Sequence, residues 1–381
     1  MTNSKVREYQ ACTNCVMDTT DSQITFDEKG VCDHCNNYYN NILPNWHPDD
    51  IGMKELNNIV NKIKKDGGDK KYDCIIGLSG GVDSSYVAYY AKEKLGLRPL
   101  IFSVDTGWNT DVANNNVRKI VNGLGLDMHT ETVDWKEMKD LQLAYFKSQV
   151  PYQDTPQDHV IFAALYTYAA RNGFKYVLTG ANYSTECVRE PNEWVHVNDL
   201  KQIKDIHKRF GTRPLNKLPL CGMFKYRLYY RYVKGMEIVQ PLNLIPYVKE
   251  DVIKELQDRF GWEPYKNKHF ESIFTRFYEG YWLPTKFGFD KRRAHFSSLI
   301  LTEQLKREDA LEILKQPPYT IEEAIQDMKF IANRLGLTKD EFVELMNGEN
   351  KTYKDYKSDL TIINAAIRLA KVVGMEKRNF R

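Results

Sequence analysis

The chain has 381 residues, a length that suggests roughly two or three domains. Hydrophobic residues make up 42% of it and charged residues 28%, the balance of a globular protein with a sizeable core. The 54 basic and 51 acidic side chains leave a net charge of +3, which argues against nucleic acid as a partner, although a local basic patch stays compatible with these totals. No apolar run approaches the roughly 18 residues of a membrane span, and the N-terminus lacks an apolar signal segment. These features predict a cytoplasmic protein without a membrane partner.

Four of the seven cysteines form a regular pattern near the N-terminus. Cys12 and Cys15 make one C-x-x-C knuckle, and Cys32 and Cys35 make a second after sixteen intervening residues. Two such knuckles can complete a tetrahedron of thiolates, so the spacing predicts a zinc ribbon in which the zinc is structural. His34 lies inside the second knuckle and is an alternative ligand. A redox pair and an iron–sulfur cluster stay open as other interpretations.

The next informative segment, residues 72 to 95, begins with a short apolar strand that enters a glycine turn and then a helix. The adjacent glycines allow successive backbone N–H groups to face one point, and the N-terminal dipole of the helix favours an anion there. The loop has no lysine after its glycines, so it is not a Walker A sequence. The predicted phosphate-binding residues are Ser79, Gly80, Gly81, Val82, Asp83, Ser84 and Ser85.

The Ser-Gly-Gly-x-Asp-Ser sequence of this loop resembles the PP-loop of the ATP pyrophosphatase superfamily. The resemblance implies that the loop grips pyrophosphate, that Asp83 helps to hold magnesium, and that ATP is split between its α and β phosphates. An adenylated substrate would be the product of that step, and AMP would leave later.

Strands and helices alternate after the loop. Apolar runs at 99–105, 128–134 and 175–181 predict strands, and helical segments lie near 111–124, 136–149 and 158–172. This order predicts an α/β fold with a doubly wound parallel sheet. Because ligands of such sheets bind beyond the carboxyl ends of strands, we expect nucleotide contacts there. The predicted contacts are Asp105, Thr106, Thr179, Gly180, Asn182 and Glu186.

The region from about 188 to 235 fits no sheet pattern and is rich in aromatic and basic residues, among them His196. It is predicted to be an insertion that either binds an anionic substrate or is a solvated helical segment. A fifth strand is expected at 236–242 and an amphipathic helix at 248–260.

A basic block follows, framed by phenylalanines and placed just before a helix. Besides Asp290, Lys291 and His295, it contains Lys286, Arg292 and Arg293. We expect these side chains to act in catalysis by holding phosphates or an anionic group of the substrate, with Lys286 supplying the cation that the loop lacks.

The remainder of the sequence predicts helices. Thr320 with Glu323, and Thr338 with Glu341, form capping boxes that each open a helix. Apolar residues at helical spacing from Leu360 to Val373 predict a last helix. The predicted organisation is a zinc-ribbon-like module at 1–50, a PP-loop domain at 51–245 and a mostly helical region at 246–381.

The knuckle pair, the PP-loop and the Lys-Phe-Gly-x-Asp-x-Arg-Arg block together resemble the N-acetyl sugar amidotransferase family of bacterial lipopolysaccharide, O-antigen and other surface-sugar biosynthesis. The resemblance covers nearly the whole chain. It implies that the acetamido oxygen of an N-acetylated sugar or sugar nucleotide is adenylated by ATP with magnesium. Ammonia would then replace that oxygen to form an acetamidine, with AMP and pyrophosphate released.

No cysteine, histidine and glutamate set of a glutaminase stands out in the sequence, so ammonia is expected from outside the chain. The family resemblance implies a separate glutaminase subunit, and a cyclase-like third protein as a further partner.

The alternative function is that of a PP-loop tRNA sulfurtransferase. Such an enzyme also adenylates a carbonyl oxygen, but sulfur is then the nucleophile. It needs a sulfur-carrying cysteine near the loop, for which Cys187 is the best candidate, and a basic tRNA footprint.

Overall fold

A parallel five-stranded sheet lies at the centre of the protein. The computed structural model describes residues 7–189 and 199–362, together with Ala365, Arg368 and Leu369. In the sheet order β3-β2-β1-β4-β5, the strands are β1 (Cys74–Gly77), β2 (Pro99–Asp105), β3 (Met128–Thr132), β4 (Tyr176–Leu178) and β5 (Glu237–Val239). Each neighbouring pair is parallel. The predicted fold class is confirmed, although β4 and β5 are shorter than the sequence suggested.

Helices connect and cover these strands. In chain order they are α1 (Asp33–Asn37), α2 (Asp50–Gly67), α3 (Val82–Tyr89), α4 (Asp111–Leu124), α5 (Trp135–Ser148), α6 (Thr155–Arg171), α7 (Tyr183–Glu186), α8 (Leu200–Phe210), α9 (Lys249–Phe260), α10 (Ile273–Phe277), α11 (Leu283–Phe287), α12 (Arg292–Leu301), α13 (Arg307–Leu314), α14 (Ile321–Leu335) and α15 (Lys339–Asn347). Wider π-helical turns occupy Tyr38–Ile42, Tyr90–Lys94, Lys225–Val233 and Tyr278–Trp282, and short 3-10 turns occupy Leu43–Asn45, Pro241–Asn243 and Tyr353–Asp355. In the described part of the chain, no helix combines the length and the apolar character that crossing a membrane requires.

Both faces of the sheet are buried, as a doubly wound fold requires. Cys74 and Ile76 of β1 pack with α2, α3, α4 and α9 on one face. Ile75, which points the other way, packs with α6 and with Tyr230 and Met236 on the opposite face. The alternation of side chains along the strand therefore divides the core into two layers.

The two capping boxes predicted in the C-terminal region are confirmed. Thr320 and Glu323 open α14, and Thr338 and Glu341 open α15, each with reciprocal side-chain to backbone hydrogen bonds. Most of the predicted last helix lies outside the described residues, as does His196 of the insertion. The described part of the insertion contains α8 and the π-helix Lys225–Val233.

The four knuckle cysteines are buried in one hydrophobic cluster with the C-terminal helices. Arg307 donates to the carbonyls of Cys12 and Cys15 at 2.8 and 3.0 Å. Arg293, on α12, donates to the carbonyl of Val16 at 2.8 Å. The N-terminal knuckles are thus fixed to the C-terminal region by contacts that span nearly the whole sequence.

Candidate functional site

The glycine loop between β1 and α3 has the conformation that phosphate binding requires. Gly80 has φ +88°, and a Cβ atom there would lie 2.6 Å from the carbonyl oxygen of Ala113. Gly81 is the N-cap of α3 and offers no side chain to its first turn. The N–H groups of that turn have no intrahelical acceptors, so they and the helix dipole are available to an anion.

Gly180, beyond β4, allows a second close approach to the loop. A Cβ atom at this position would lie 2.9 Å from the backbone of Asp83 and Ser84. The carboxyl ends of β1 and β4 therefore meet as the sequence predicted for a parallel sheet. Thr179, directly before Gly180, has a buried hydroxyl without a hydrogen-bond partner in the described structure.

Both carboxylate oxygens of Asp83 have partners. The Tyr247 hydroxyl donates a short hydrogen bond to one oxygen, and the Lys268 ammonium lies 3.3 Å from the other. Lys268 also pairs with Glu186 at 2.7 Å and donates to the Thr185 hydroxyl at 3.1 Å. Lys268 therefore joins the first turn of α3 to the end of α7, directly over the loop.

Lys268 stays charged in this position. Burial opposes the charge, but the carboxylates of Glu186 and Asp83 outweigh that cost and raise the pKa of Lys268 above the usual value of a lysine. Its side chain is only 13% exposed. A fixed cation beside a phosphate-binding turn is what a triphosphate requires, and Lys268 supplies the charge that the loop sequence lacks.

A second lysine lies next to this group. The Lys249 ammonium is 3.1 Å from Nε2 of His295, and Nδ1 of His295 lies 3.2 Å from the carbonyl oxygen of Thr185. Burial and then the charge of Lys268 lower the pKa of Lys249 to about 8. Burial, with the charges of both lysines, also holds the pKa of His295 well below its usual range. Without a bound anion, His295 is therefore neutral, whereas Lys249 is mostly charged at pH 7 and loses its proton near pH 8.

The lowered pKa of Lys249 predicts proton uptake when phosphates bind. Above pH ~8 the free protein has lost the Lys249 proton, whereas a nearby polyphosphate favours the charged form. Between pH ~8 and ~10, calorimetry of ATP or pyrophosphate binding in buffers of different ionisation enthalpy should show uptake of up to about one proton. The uptake should disappear in Lys249→Met. An equal uptake in that variant would assign the proton to another group.

Glu271 completes the rim of the loop. Its carboxylate oxygen would lie 3.0 Å from a Cβ atom added at Gly81, and its backbone carbonyl accepts from the Thr110 amide at 2.9 Å. Burial raises the pKa of Glu271. Asp83 and Glu186 are joined through Lys268, and Glu271 lies beside Gly81, so three carboxylates surround the loop without their oxygens converging on one point.

The other residues predicted at strand ends have more local partners. Asp105 accepts from the Gly107 amide at 2.8 Å, and the buried Thr106 hydroxyl donates to Gln157 at 2.9 Å. Asn182 caps α7 by accepting from the Thr185 amide at 2.9 Å. Among the predicted nucleotide contacts, Gly180 packs against the backbone of Asp83, and Glu186 pairs with Lys268.

The predicted basic block lies in a different environment. The Lys286 ammonium donates to the carbonyls of Met346 and Gly348 at 2.9 and 2.5 Å, at the end of α15. Arg292 pairs with Asp290 at 2.7 Å, and Arg293 pairs with Asp18 at 3.1 Å. These contacts tie helix ends and the knuckle region together. The structure does not bring the three residues to the glycine loop, and their predicted role in catalysis stays untested.

The sequence analysis missed Lys268, Lys249, Tyr247 and Glu271, and it named His295 only as a member of the basic block. No spacing connects them to the loop, because Tyr247 and Lys268 follow Asp83 by 164 and 185 residues. The available signal was chemical: a phosphate loop without its own lysine needs a cation from a later segment. That signal gives no reason to choose Lys268 over Lys286.

The four cysteines form a second candidate site. Their sulfur atoms all lie within 4.8 Å of one another, with separations of 3.8 Å for Cys12 and Cys35 and 3.6 Å for Cys15 and Cys32. Backbone amides donate to these sulfurs, including that of Cys32 to Cys12 at 3.2 Å. His34 instead contacts Asp21 at 2.9 Å. The ligand set for a metal is therefore all-cysteine.

Helix α12 connects the two sites. His295 faces the lysines near the loop, while Arg293 and Ser297 contact the knuckle segment, where the Ser297 hydroxyl accepts from the Val16 amide at 3.2 Å. The Ser298 hydroxyl accepts from the Val188 amide at 2.9 Å, just after Cys187. The position of α12 therefore depends on both sites.

Similarity to known proteins was found for two separate parts of the chain. The family model for asparagine synthase matches residues 73–181, which contain β1 to β4. A second model, described as "LPS biosynthesis protein WbpG-like, C-terminal domain", matches residues 271–369.

Two curated proteins are similar over parts of their length. An uncharacterized protein of Methanocaldococcus jannaschii is 26% identical over 269 residues, which are 65% of this chain and 92% of that protein. The tRNA-specific 2-thiouridylase MnmA of Legionella pneumophila is 31% identical over 125 residues. That match spans 29% of this chain and 34% of MnmA.

Solved structures of related shape include the tRNA thiolase NcsA of Methanococcus maripaludis with its 4Fe–4S cluster, at a TM-score of 0.34 and 14% identity over 81% of this chain and 90% of that one. NMN synthetase of Francisella tularensis has a TM-score of 0.30 and 16% identity over 74% and 93% of the two chains. The parallel sheet with its glycine loop and the two matched models agree with the resemblance seen in the sequence. The chain therefore contains a region matched by the asparagine synthase model, which includes the PP-loop, and a C-terminal region matched by the WbpG-like model.

Proposed function

We propose that the protein is an ATP-dependent, AMP-forming amidotransferase of surface polysaccharide biosynthesis that converts the acetamido group of an N-acetylated sugar or sugar nucleotide to an acetamidine. The observation that carries the proposal is the presence, in one chain, of a PP-loop domain and a WbpG-like domain. The second domain supplies His295 and Glu271 to the rim of the loop.

In the first step, the acetamido oxygen attacks the α-phosphorus of ATP and pyrophosphate leaves. The N–H groups at the start of α3 and the charge of Lys268 stabilise the negative charge that develops on the leaving pyrophosphate. Lys249 adds a second positive charge, which nearby phosphates stabilise by raising its pKa from about 8. The product is an O-adenylated imidate, whose AMP is a far better leaving group than the oxygen of an amide.

In the second step, ammonia attacks the imidate carbon. A C–N bond forms, the C–O bond to AMP breaks, and a proton leaves the incoming nitrogen. His295 is held in its neutral form and is hydrogen-bonded to Lys249 at 3.1 Å. Both of its ring nitrogens have partners, Lys249 and the Thr185 carbonyl, and its lowered pKa makes it a weak base. His295 therefore positions Lys249, and the proton that the new nitrogen releases passes to a second ammonia molecule or to water.

Magnesium is proposed as the metal of the loop site, held by Asp83 with Glu186 and Glu271. All three offer carboxylate oxygens near the phosphate-binding turn. Among the described residues, only the four cysteines bring three or more ligand atoms within 4.8 Å of one another, so the three carboxylates would have to move together to hold the ion. When bound, magnesium would neutralise part of the negative charge of the phosphates. Asp83 would have to exchange its contacts with Tyr247 and Lys268 for the metal.

Zinc is proposed as the metal of the four-cysteine site. A tetrahedral site with Zn–S bonds of about 2.3 Å has sulfur atoms about 3.8 Å apart. The observed separations of 3.6 and 3.8 Å agree with that value. An iron–sulfur cluster places several atoms between the thiolates and needs wider spacing. Four thiolates leave no open position, so the zinc is structural.

A separate glutaminase subunit is proposed as the ammonia source, with a cyclase-like protein as a further partner. This part of the proposal is based on the family resemblance and on the absence of a recognisable glutaminase set in the sequence.

Thiolation of tRNA is a second candidate, favoured by the 31% identity with the thiouridylase MnmA over 125 residues. A thiolase of the predicted type needs a reactive thiolate. Burial raises the pKa of Cys187 to about 12, and burial also raises the pKa values of Cys74 and Cys221. Of the cysteines outside the four-cysteine site, none is poised to carry sulfur, which favours the amidotransferase.

The proposal predicts a specific nitrogen and nucleotide requirement. The purified chain should form AMP and pyrophosphate from ATP in the presence of an acetamido sugar nucleotide and ammonium, and should not use glutamine. Chromatography would identify the nucleotides, and mass spectrometry would identify an amidine in which NH replaces O. Addition of the glutaminase subunit should confer the use of glutamine.

Formation of ADP would contradict the proposed adenylation. Thiolation of tRNA with sulfide or a sulfur donor, without any reaction of acetamido sugars, would establish the second candidate instead.

A further inference from the structure

The insertion presents an exposed amphipathic segment on the opposite side of the sheet from α9. We call residues 224–234 the cationic aromatic helix; they consist of Phe224, the π-helix Lys225–Val233 and Lys234. Its most exposed apolar side chains, with their exposed fractions, are Phe224 (65%), Leu228 (51%), Tyr229 (41%), Tyr232 (54%) and Val233 (69%). A cluster of exposed apolar side chains is typical of a surface that another molecule covers.

This helix is firmly attached to the domain beneath it. Tyr230 is buried, its hydroxyl lies 3.0 Å from that of Thr167 on α6, and it belongs to the core that covers one face of the sheet. The flanking residues Cys221 and Met236 are buried in the same core. The segment is therefore presented in a fixed orientation, with one side in the core and the other in solvent.

The stretch of sequence that contains the helix is basic, and Asp205 and Glu237 are the first acidic residues on either side of it. Residues 206–236 contain no aspartate or glutamate. Their eight basic residues are Lys208, Arg209, Arg213, Lys217, Lys225, Arg227, Arg231 and Lys234. Arg209 pairs with Asp205 one turn earlier on α8, and Lys217 pairs with Asp134 at the start of α5. Within the described structure, Lys225, Arg231 and Lys234 have no carboxylate partner and lie over neighbouring tyrosine rings.

The combination of charge and side-chain type selects among possible ligands. A second copy of the same surface would bring like charges together, which disfavours a symmetric dimer. Single-stranded RNA is bound by stacking on aromatic rings, but Leu228 and Val233 have no stacking face. Aliphatic and aromatic side chains flanked by lysine and arginine match the interface of an anionic bilayer, where the apolar groups enter the acyl boundary and the cations contact the headgroups.

We propose that the cationic aromatic helix docks the protein on the anionic surface of a phospholipid membrane. The sequence analysis predicted no membrane partner because it considered only the length of apolar runs. That criterion finds helices that span a membrane but not helices that bind to its surface. The inference does not depend on the proposed amidotransferase activity.

Vesicle binding tests the proposal directly. The full chain is incubated with vesicles of phosphatidylcholine alone or mixed with phosphatidylglycerol, and the bound fraction is measured by flotation. We expect binding to the anionic vesicles that weakens as salt is raised. The variant Lys225→Gln/Arg231→Gln/Lys234→Gln should bind about 100-fold more weakly, and Phe224→Ser/Leu228→Ser about 10-fold or more.

A control variant, Ile51→Ser/Ile321→Ser, removes two apolar side chains of similar exposure, 62% and 66%, from other surfaces. It should bind vesicles like the unchanged protein. All variants should retain ATP binding, because the helix contributes nothing to the loop.

Several results would overturn the proposal. Equal binding to neutral and anionic vesicles would remove the role of charge, and unchanged binding by the triple variant would place the contact elsewhere. Tighter binding of single-stranded RNA than of anionic vesicles would make the surface a nucleic-acid site. Self-association that is lost in Phe224→Ser/Leu228→Ser would make it an interface between copies.

Discussion

Replacement of Lys268 by methionine should lower the rate of AMP formation about 10³-fold. The methionine keeps the length of the side chain but removes the cation that contacts Asp83 and Glu186. The negative charge that develops on the pyrophosphate then has no fixed cation beside it. The methionine side chain still fills the space that the lysine methylenes occupied. Single-turnover measurement of AMP under saturating ATP would report the chemical step.

Two variants make this result specific. Lys266→Met, two residues away, removes an exposed lysine that lies 3.6 Å from Glu323 and should leave the rate unchanged within about threefold. Lys286→Met tests the role predicted from the sequence. Because the Lys286 ammonium donates to carbonyls at the end of α15, we expect it to lower thermal stability more than the rate. A large loss of rate in Lys286→Met with normal stability, together with a small loss of rate in Lys268→Met, would identify Lys286 as the catalytic cation instead.

Removal of the metal from the four-cysteine site should damage the whole molecule. The purified protein is expected to contain one zinc ion per chain by elemental analysis, and Cys32→Ser/Cys35→Ser should contain none. Because the cysteines share a core with the C-terminal helices, we expect the midpoint of thermal unfolding to fall by roughly 10 °C or more. AMP formation should fall as well, because α12 carries both Arg293 and His295.

Cys187→Ser is the matched control for this variant. It alters a buried cysteine of the same core that lies outside the ligand set and should keep its zinc. Full zinc content in Cys32→Ser/Cys35→Ser would contradict the assignment, and iron in the wild-type protein would establish a different metal centre.

The parts of the fold that depend on local sequence were predicted well. The bounds of β2 and α4 agree with the prediction to the residue, because an apolar run and a Thr110 cap define them. The cysteine ligands were identified because their spacing is set by two tight turns. Each of these features is encoded within a few neighbouring residues.

The functional side chains above the loop could not be predicted in the same way. Lys268 and Tyr247 reach Asp83 only through the packing of the segments that follow β5. The contacts of the basic block were not predictable for a related reason, and its role in catalysis stays a prediction. Of the phenylalanines that frame it, Phe289 is fully buried in the core, whereas Phe287 and Phe296 are partly exposed. The charges near them connect helices.

The attachment of the N-terminal knuckles to α12 and Arg307 has a consequence for synthesis of the chain. Val16 and its partner Ser297 are separated by 281 residues, and Cys12 and its partner Arg307 by 295. At elongation rates of about 5 to 20 residues per second, the cysteines emerge roughly 15 to 60 s before the helices that bury them. During that interval they are open to oxidation and to wrong metals, so early capture of zinc would protect the nascent chain until its last third arrives.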